Sequence, residues 1–124
     1  MGHVRVPVTL SWKRSKRVMA LVDTGATHAV IPLALSKELE TPESIRQQRV
    51  QLADGSIQRM PETIVHVKLN GRDTGAVAVI VPKGEVLLGV EVLESLGLAV
   101  DPARKRIFPT RPYAARLGGY RSLR

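Results

Sequence analysis

Asn70-Gly71 stands between Val65, Val67 and Leu69 on one side and the apolar run from Ala76 to Val81 on the other. Asn and Gly tolerate the positive φ that a tight two-residue turn demands, so this dipeptide between apolar runs is a hairpin signal with a mechanism. It commits the middle of the chain to antiparallel β-structure. The flanks agree. Val4, Val6, Val8 and Leu10 share one parity, which predicts a half-buried strand, and Pro7 argues that this strand lies at an edge. Trp12-Lys13-Arg14-Ser15 predicts a turn into the nearly continuous apolar run that ends at Val22, read as a more buried strand. Asp54-Gly55 predicts a second hairpin, with a polar tip.

Helical signals are few and short. Pro32 can open a helix running to Leu39, with Leu35 and Leu39 on one face, and Thr41-Pro42 closes it. A second short helix is predicted from Val90 to Leu96, ended by Gly97. A last pair of strands turns around Pro102-Ala103 and finishes near Phe108. The expected organisation is one mostly β domain over residues 1–108 and a basic tail over 109–124.

Composition narrows the function classes. Trp12, Phe108, Tyr113 and Tyr120 are the only aromatics, so the core must be filled by Val, Leu, Ile and Ala. With 0 Cys there is no disulfide framework and no thiolate metal site, which fits a reducing cytoplasm. His3, His28 and His66 lack metal-site spacing, and no phosphate-binding or dinucleotide glycine pattern occurs, so neither metal nor cofactor is expected. No apolar run approaches the ~18 residues of a spanning helix, and the opening residues lack a signal-peptide pattern. No membrane partner is expected. The net charge of +8 is concentrated at the ends, with +5 over residues 1–20, −3 over 21–100 and +6 over 101–124. Basic termini of this kind either bind polyanions such as nucleic acid or keep a small protein soluble. The tail lacks the regular aromatic platform of a single-strand binder.

The tetrapeptide DTGA occurs twice, from Asp23 and from Asp73. Asp23 follows the apolar strand directly, so its carboxylate lies at a strand end with a small Thr24-Gly25 turn behind it. Gly25 lets backbone approach a ligand that a side chain would obstruct. Asp73 lies two residues beyond Asn70-Gly71, where Asp, Thr and Gly are ordinary turn residues. The second copy is read as a decoy.

The order ALVDTGATHAVIP, a hairpin around ADGS, then VLLGVEVLESLGL resembles the retropepsin-like aspartic proteases over residues 4–108. The resemblance implies a mostly β acid-protease barrel with one or two short helices. It places the catalytic aspartate at Asp23 and the flap tip at Asp54 and Gly55. It implies a loop-linking and dimer-contact role for Thr24 and a substrate-facing carbonyl at Gly25. It lays Ala26 and Thr27 along the floor, and His28, Val30 and Leu87 against side-chain pockets. A chain too short for two lobes implies a homodimer whose two Asp23 carboxylates form one dyad. The expected activity is endoproteolysis of extended, largely apolar protein or peptide segments. Two alternatives stand beside it: a non-cleaving dimerisation or peptide-binding module of the same fold, and a nucleic-acid-binding protein acting through its basic termini. The retroviral members carry an acid at the position of Thr27 and an arginine at that of Val90, so their ion pair is absent here.

Overall fold

The computed structural model describes residues 3–43 and 46–113. Most of the 109–124 tail, including any nucleic-acid arm in it, lies outside the described residues. Two hairpins organise the rest. β1 (Val4–Ser11) folds back on β2 (Ser15–Val22) across the turn at Trp12, and β5 (Ile57–Leu69) folds back on β6 (Arg72–Val81) across Asn70-Gly71. Between them lie β3 (Ala29–Pro32), α1 (Leu33–Leu39) and β4 (Gln47–Gln51). After β6 come β7 (Val86–Leu88), α2 (Val90–Leu96), β8 (Leu98–Asp101) and β9 (Arg106–Pro109). The main sheet runs β1-β2-β7-β3-β6-β5-β4, and Thr9–Ser11 of β1 also pairs with β5. Six strands therefore close into a barrel, with β4 left outside the ring. β8 and β9 form a separate ribbon.

The barrel is narrow, and its filling explains the composition. Val4, Val6, Val8 and Leu10 point inward against Val65, Val67 and Leu69, with Ala20, Ala29, Ala76 and Ala78 where strands lie close. Leu35 and Leu39 of α1 and Val92, Leu93 and Leu96 of α2 plug its ends. No aromatic side chain joins this core among the described residues, and Trp12, Phe108 and Tyr113 are all exposed.

Two strand expectations need correction. β2 is not the buried strand that its apolar run suggested: only Ala20 and Val22 are fully inside, and Met19 is 58% exposed. One face of a barrel strand meets solvent, so burial alternates whatever the side chains are. Nor is β1 an edge along its whole length. Pro7 has Met19 as its partner on one side and no β5 partner on the other, because β5 joins only at Thr9–Ser11. The proline, which has no N–H to donate, occupies the half of the strand with one neighbour.

β5 is 13 residues long, and that length shapes the site. Glu62 to Leu69 pairs with β6 inside the barrel, whereas Ile57 to Pro61 pairs with β4 as a projecting arm. The exchange of partners falls at Glu62. This buried carboxylate accepts from the Gln48 amide and meets Arg46 at 3.5 Å, holding the arm's base.

Candidate active site

Asp23 is delivered by the last pairing of β2. Val22 lies opposite Leu88 of β7, and the Asp23 N–H donates to the Leu88 carbonyl at 3.0 Å. The chain then turns sharply. The Gly25 N–H donates to Oδ1 of Asp23 at 2.9 Å, and the Ala26 N–H to its carbonyl at 3.1 Å. The carboxylate is thus oriented by its own loop, and no cation pairs with it among the described residues. A β-carbon at Gly25 would stand 3.2 Å from that same oxygen, so a side chain there would crowd the group.

A second loop crosses beneath the first. At Gly89 a β-carbon would lie 2.4 Å from the His28 carbonyl oxygen and 2.7 Å from that of Ala26. These are fixed backbone atoms, so only glycine lets the two loops touch. The Val90 N–H then donates to the Ala26 carbonyl at 2.8 Å, and the Glu91 N–H to that of Thr27 at 3.1 Å. The first turn of α2 has free N–H groups to give. They brace the 23–28 loop by backbone contacts, with no ion pair between positions 27 and 90.

Above this crossing opens a cleft of about 370 Å³. Gly25, Ala26, Thr27, His28 and Val30 form one wall, residues 48–51 of β4 the opposite one, and Val79 and Val81 of β6 the end. Five of the residues singled out in the sequence therefore share one cavity beside Asp23. Thr24 faces a different groove, of about 440 Å³, with Val90, Leu93, Leu98 and Val100. Leu87 pairs with Val30 across β7 and β3 without lining the cleft. Asp54 and Gly55 cap the projecting arm, and Asp54 is turned onto Ser56, accepting from its N–H at 2.9 Å and its hydroxyl at 2.6 Å. Those bonds, the hydroxyl first, hold the Asp54 carboxyl below its ordinary value. The arm's strand, not its tip, walls the cleft in a single chain.

Residues 48–51, Val79 and Val81 were not singled out in the sequence. Their signal was faint: β4 is a short polar strand with alternating half-burial, and the two valines belong to an ordinary apolar run. Asp73 is elsewhere. It pairs with Lys68 at the opposite end of β6, six residues from Val79, or roughly 20 Å at ~3.3 Å per residue. Its carboxylate meets His66 Nε2 at 3.0 Å, and that contact, followed by the Tyr113 hydroxyl, holds its pKa below the ordinary value. Among the described residues no three His, Asp or Glu side chains converge as a metal site, and no helix is long and apolar enough to cross a membrane.

A family model described as "gag-polyprotein putative aspartyl protease" matches residues 13–95. Among solved structures, the chain is similar to the EIAV protease complexed with the inhibitor HBY-793, at 21% identity and a TM-score of 0.63, over 77% of this chain and 89% of that one. It is similar to the Simian foamy virus (mac) protease at 21% identity and a TM-score of 0.55, over 74% and 93% of the two chains. It also matches a foamy viral protease-reverse transcriptase in complex with an RNA/DNA hybrid, at 20% identity and a TM-score of 0.59, spanning 74% of this chain and 12% of that one. At such identities these likenesses establish the fold alone. No curated protein matches the chain.

Proposed function

The chain belongs to the retropepsin-like aspartic proteases, an aspartic-type endopeptidase family, and on that premise we propose that it cleaves peptides as a homodimer with one Asp23 from each subunit. The observation that carries this is the position of Asp23, held by Leu88 and Gly25 where the two loops cross under the cleft. One chain supplies one such carboxylate. Asp73, some ~20 Å along its strand from the cleft, is bonded to His66 and does not qualify.

The chemistry requires the pair. Two adjacent carboxylates cannot both remain ionised, so they hold one proton between them and titrate as a unit. The ionised member takes a proton from water as the water oxygen attacks the scissile carbonyl carbon. The protonated member gives its proton to the carbonyl oxygen, leaving a neutral tetrahedral diol. The dyad's proton then passes to the amide nitrogen, and as the C–N bond breaks a carboxylate takes up a proton from a diol hydroxyl, so that the pair again shares one proton. An extended substrate would pair with backbone groups of the catalytic loop and of β4, as an added strand. Its side chains would meet Val30, Val79 and Val81 on one side and residues 48–51 on the other.

The groove beside Thr24 supports the placement of the second copy. Its lining by Val90, Leu93, Leu98 and Val100 is apolar, and Thr24 adjoins Asp23 in sequence. A subunit seated there would bring the two catalytic loops together.

The test is cleavage of a peptide library by wild type, Asp23→Asn and Asp73→Asn. Asp23→Asn keeps the size of the group and removes proton exchange, so turnover falls by at least about a hundredfold. Asp73→Asn retains turnover within a few-fold. Equal loss in both folded variants would overturn the assignment. Peptide binding without cleavage by wild type would instead establish a non-cleaving module.

A further inference from the structure

His28 belongs to two cavities at once. It walls the cleft, and on its other side it lines a smaller pocket of about 160 Å³ between residues 75–77 of β6 and Glu91, Val92 and Ser95 of α2. Oε2 of Glu91 lies 3.1 Å from His28 Nδ1, and the two side chains are 57% and 25% exposed. The Glu91 carboxylate meets His28 through this one oxygen. Its other oxygen accepts no hydrogen bond from the described side chains. The cleft lining contains Arg49 and no acid, with Asp23 beside it, whereas the pocket lining contains Glu91 and no Lys or Arg.

We propose that this pocket is an outlying substrate subsite that takes one lysine or arginine side chain, with Glu91 as its specificity-determining group and His28 as the residue that positions it. The proposal rests on the reading of the cleft as the peptide site. The volume is well below the roughly 300 Å³ at which free small-molecule pockets begin, so it suits one side chain. Its walls match an amphipathic one. The methyl groups of Ala76, Val77 and Val92 receive the aliphatic stem, and Glu91 with the Ser95 hydroxyl receives the cationic head. A peptide lying in the cleft reaches this pocket past His28, several residues from the scissile bond, and the proposed dimer presents one such pocket on each side of that bond. A carboxylate this exposed is screened by solvent, so the preference is modest, about threefold.

The test uses pairs of peptides that differ only by lysine or norleucine, which has the same stem without the charge, scanned along each side of the cleaved bond. Binding is measured to the Asp23→Asn protein and cleavage to wild type. At one position on each side of the cleaved bond, lysine should improve binding and KM by about threefold and leave kcat unchanged. Glu91→Gln should bring that ratio to one, and Glu91→Lys should reverse it in favour of a glutamate-containing peptide. A ratio of one at every position in wild type, or a lysine preference that survives Glu91→Gln, overturns the proposal. Either result could occur alongside Asp23-dependent cleavage, so it leaves the protease reading standing. Loss of Asp23 dependence would refute that reading, while the binding ratio would still decide the subsite.

Discussion

At the scale of single residues, the two DTGA copies differ in what surrounds their carboxylates. Oδ1 of Asp23 accepts from the Gly25 backbone inside a loop that Gly89 crosses. Asp73 stands exposed on a strand, in contact with His66. The depressed pKa of Asp73 has a consequence for stability. Below its ordinary value of 3.8 the unfolded chain takes up a proton first, so the contribution is full above that pH and is lost as pH falls through the lower folded value. Wild type should therefore have a higher urea midpoint than Asp73→Asn at pH ~5, and the gap should shrink by pH ~3. A gap that widens on acidification would contradict the sign. Gly89 carries the other residue-scale prediction. A methyl group there would press on two backbone carbonyls, so Gly89→Ala should cost about 3 kcal/mol, read as a lower urea midpoint. An unchanged midpoint would show that the loops do not cross as described. The local setting of both DTGA copies was legible, because a strand end and a hairpin return differ in flanking pattern. The His28–Glu91 contact was not, since it joins residues 63 apart through the crossing and carries no periodicity.

At the scale of elements, the C-terminal segment acts on α2. Nη1 of Arg72 donates to the carbonyls of Leu96, Gly97 and Arg111 at 2.9, 3.2 and 3.1 Å, and its guanidinium lies 5.6 Å from the centre of the Tyr113 ring. Arg111 donates to the carbonyls of Glu94 and Ser95. The Tyr113 hydroxyl accepts from the Asp73 N–H at 2.7 Å and donates to the Asp73 carbonyl at 2.9 Å. The last carbonyls of a helix have no partner inside it. Here the two arginines supply them, while the first N–H groups of the same helix brace the 23–28 loop. Arg72→Ala should cost about 2 kcal/mol by leaving the Leu96 carbonyl unpaired, whereas that of Gly97 keeps the Thr110 N–H, and Tyr113→Phe about 1 kcal/mol. Urea midpoints check both. An Arg72→Ala midpoint equal to that of wild type would mean that the segment rests on α2 without holding it. The two short helices and most strands were readable because each has its own period or turn. The docking of Arg111 and Tyr113 was not. It depends on residues about forty positions apart, in a stretch that reads as an unpatterned basic tail. The double duty of β5 was hidden for a related reason. Alternation shows which side chains point inward, but not where a strand exchanges one neighbour for another.

At the scale of the whole molecule, the proposed assembly must overcome charge. Each chain carries +8, most of it at the two ends, so two copies repel one another at long range. The groove beside Thr24 is lined mainly by Val90, Leu93, Leu98, Ala99 and Val100, with Glu94 as its one charged side chain. An interface built on such a surface gains its free energy from apolar burial, which salt does not screen, while the opposing repulsion is screened within a Debye length of about 8 Å at physiological ionic strength. Added salt should therefore tighten the dimer. Sedimentation over a range of protein and NaCl concentrations would show the dimer fraction rising with both, and specific activity should follow that fraction because one chain supplies one Asp23. Thr24→Ala should lower dimer fraction and activity together. Thr74→Ala should not, since among the described residues the Thr74 hydroxyl meets only the adjacent Gly75 carbonyl, at 3.2 Å. A dimer that dissociates as salt is raised would identify an interface held by ion pairs, located elsewhere on the surface. A species that stays monomeric at every concentration yet cleaves peptides would end the shared-dyad mechanism, because the second carboxylate would then have to come from within one chain, where Asp73 is too distant to serve.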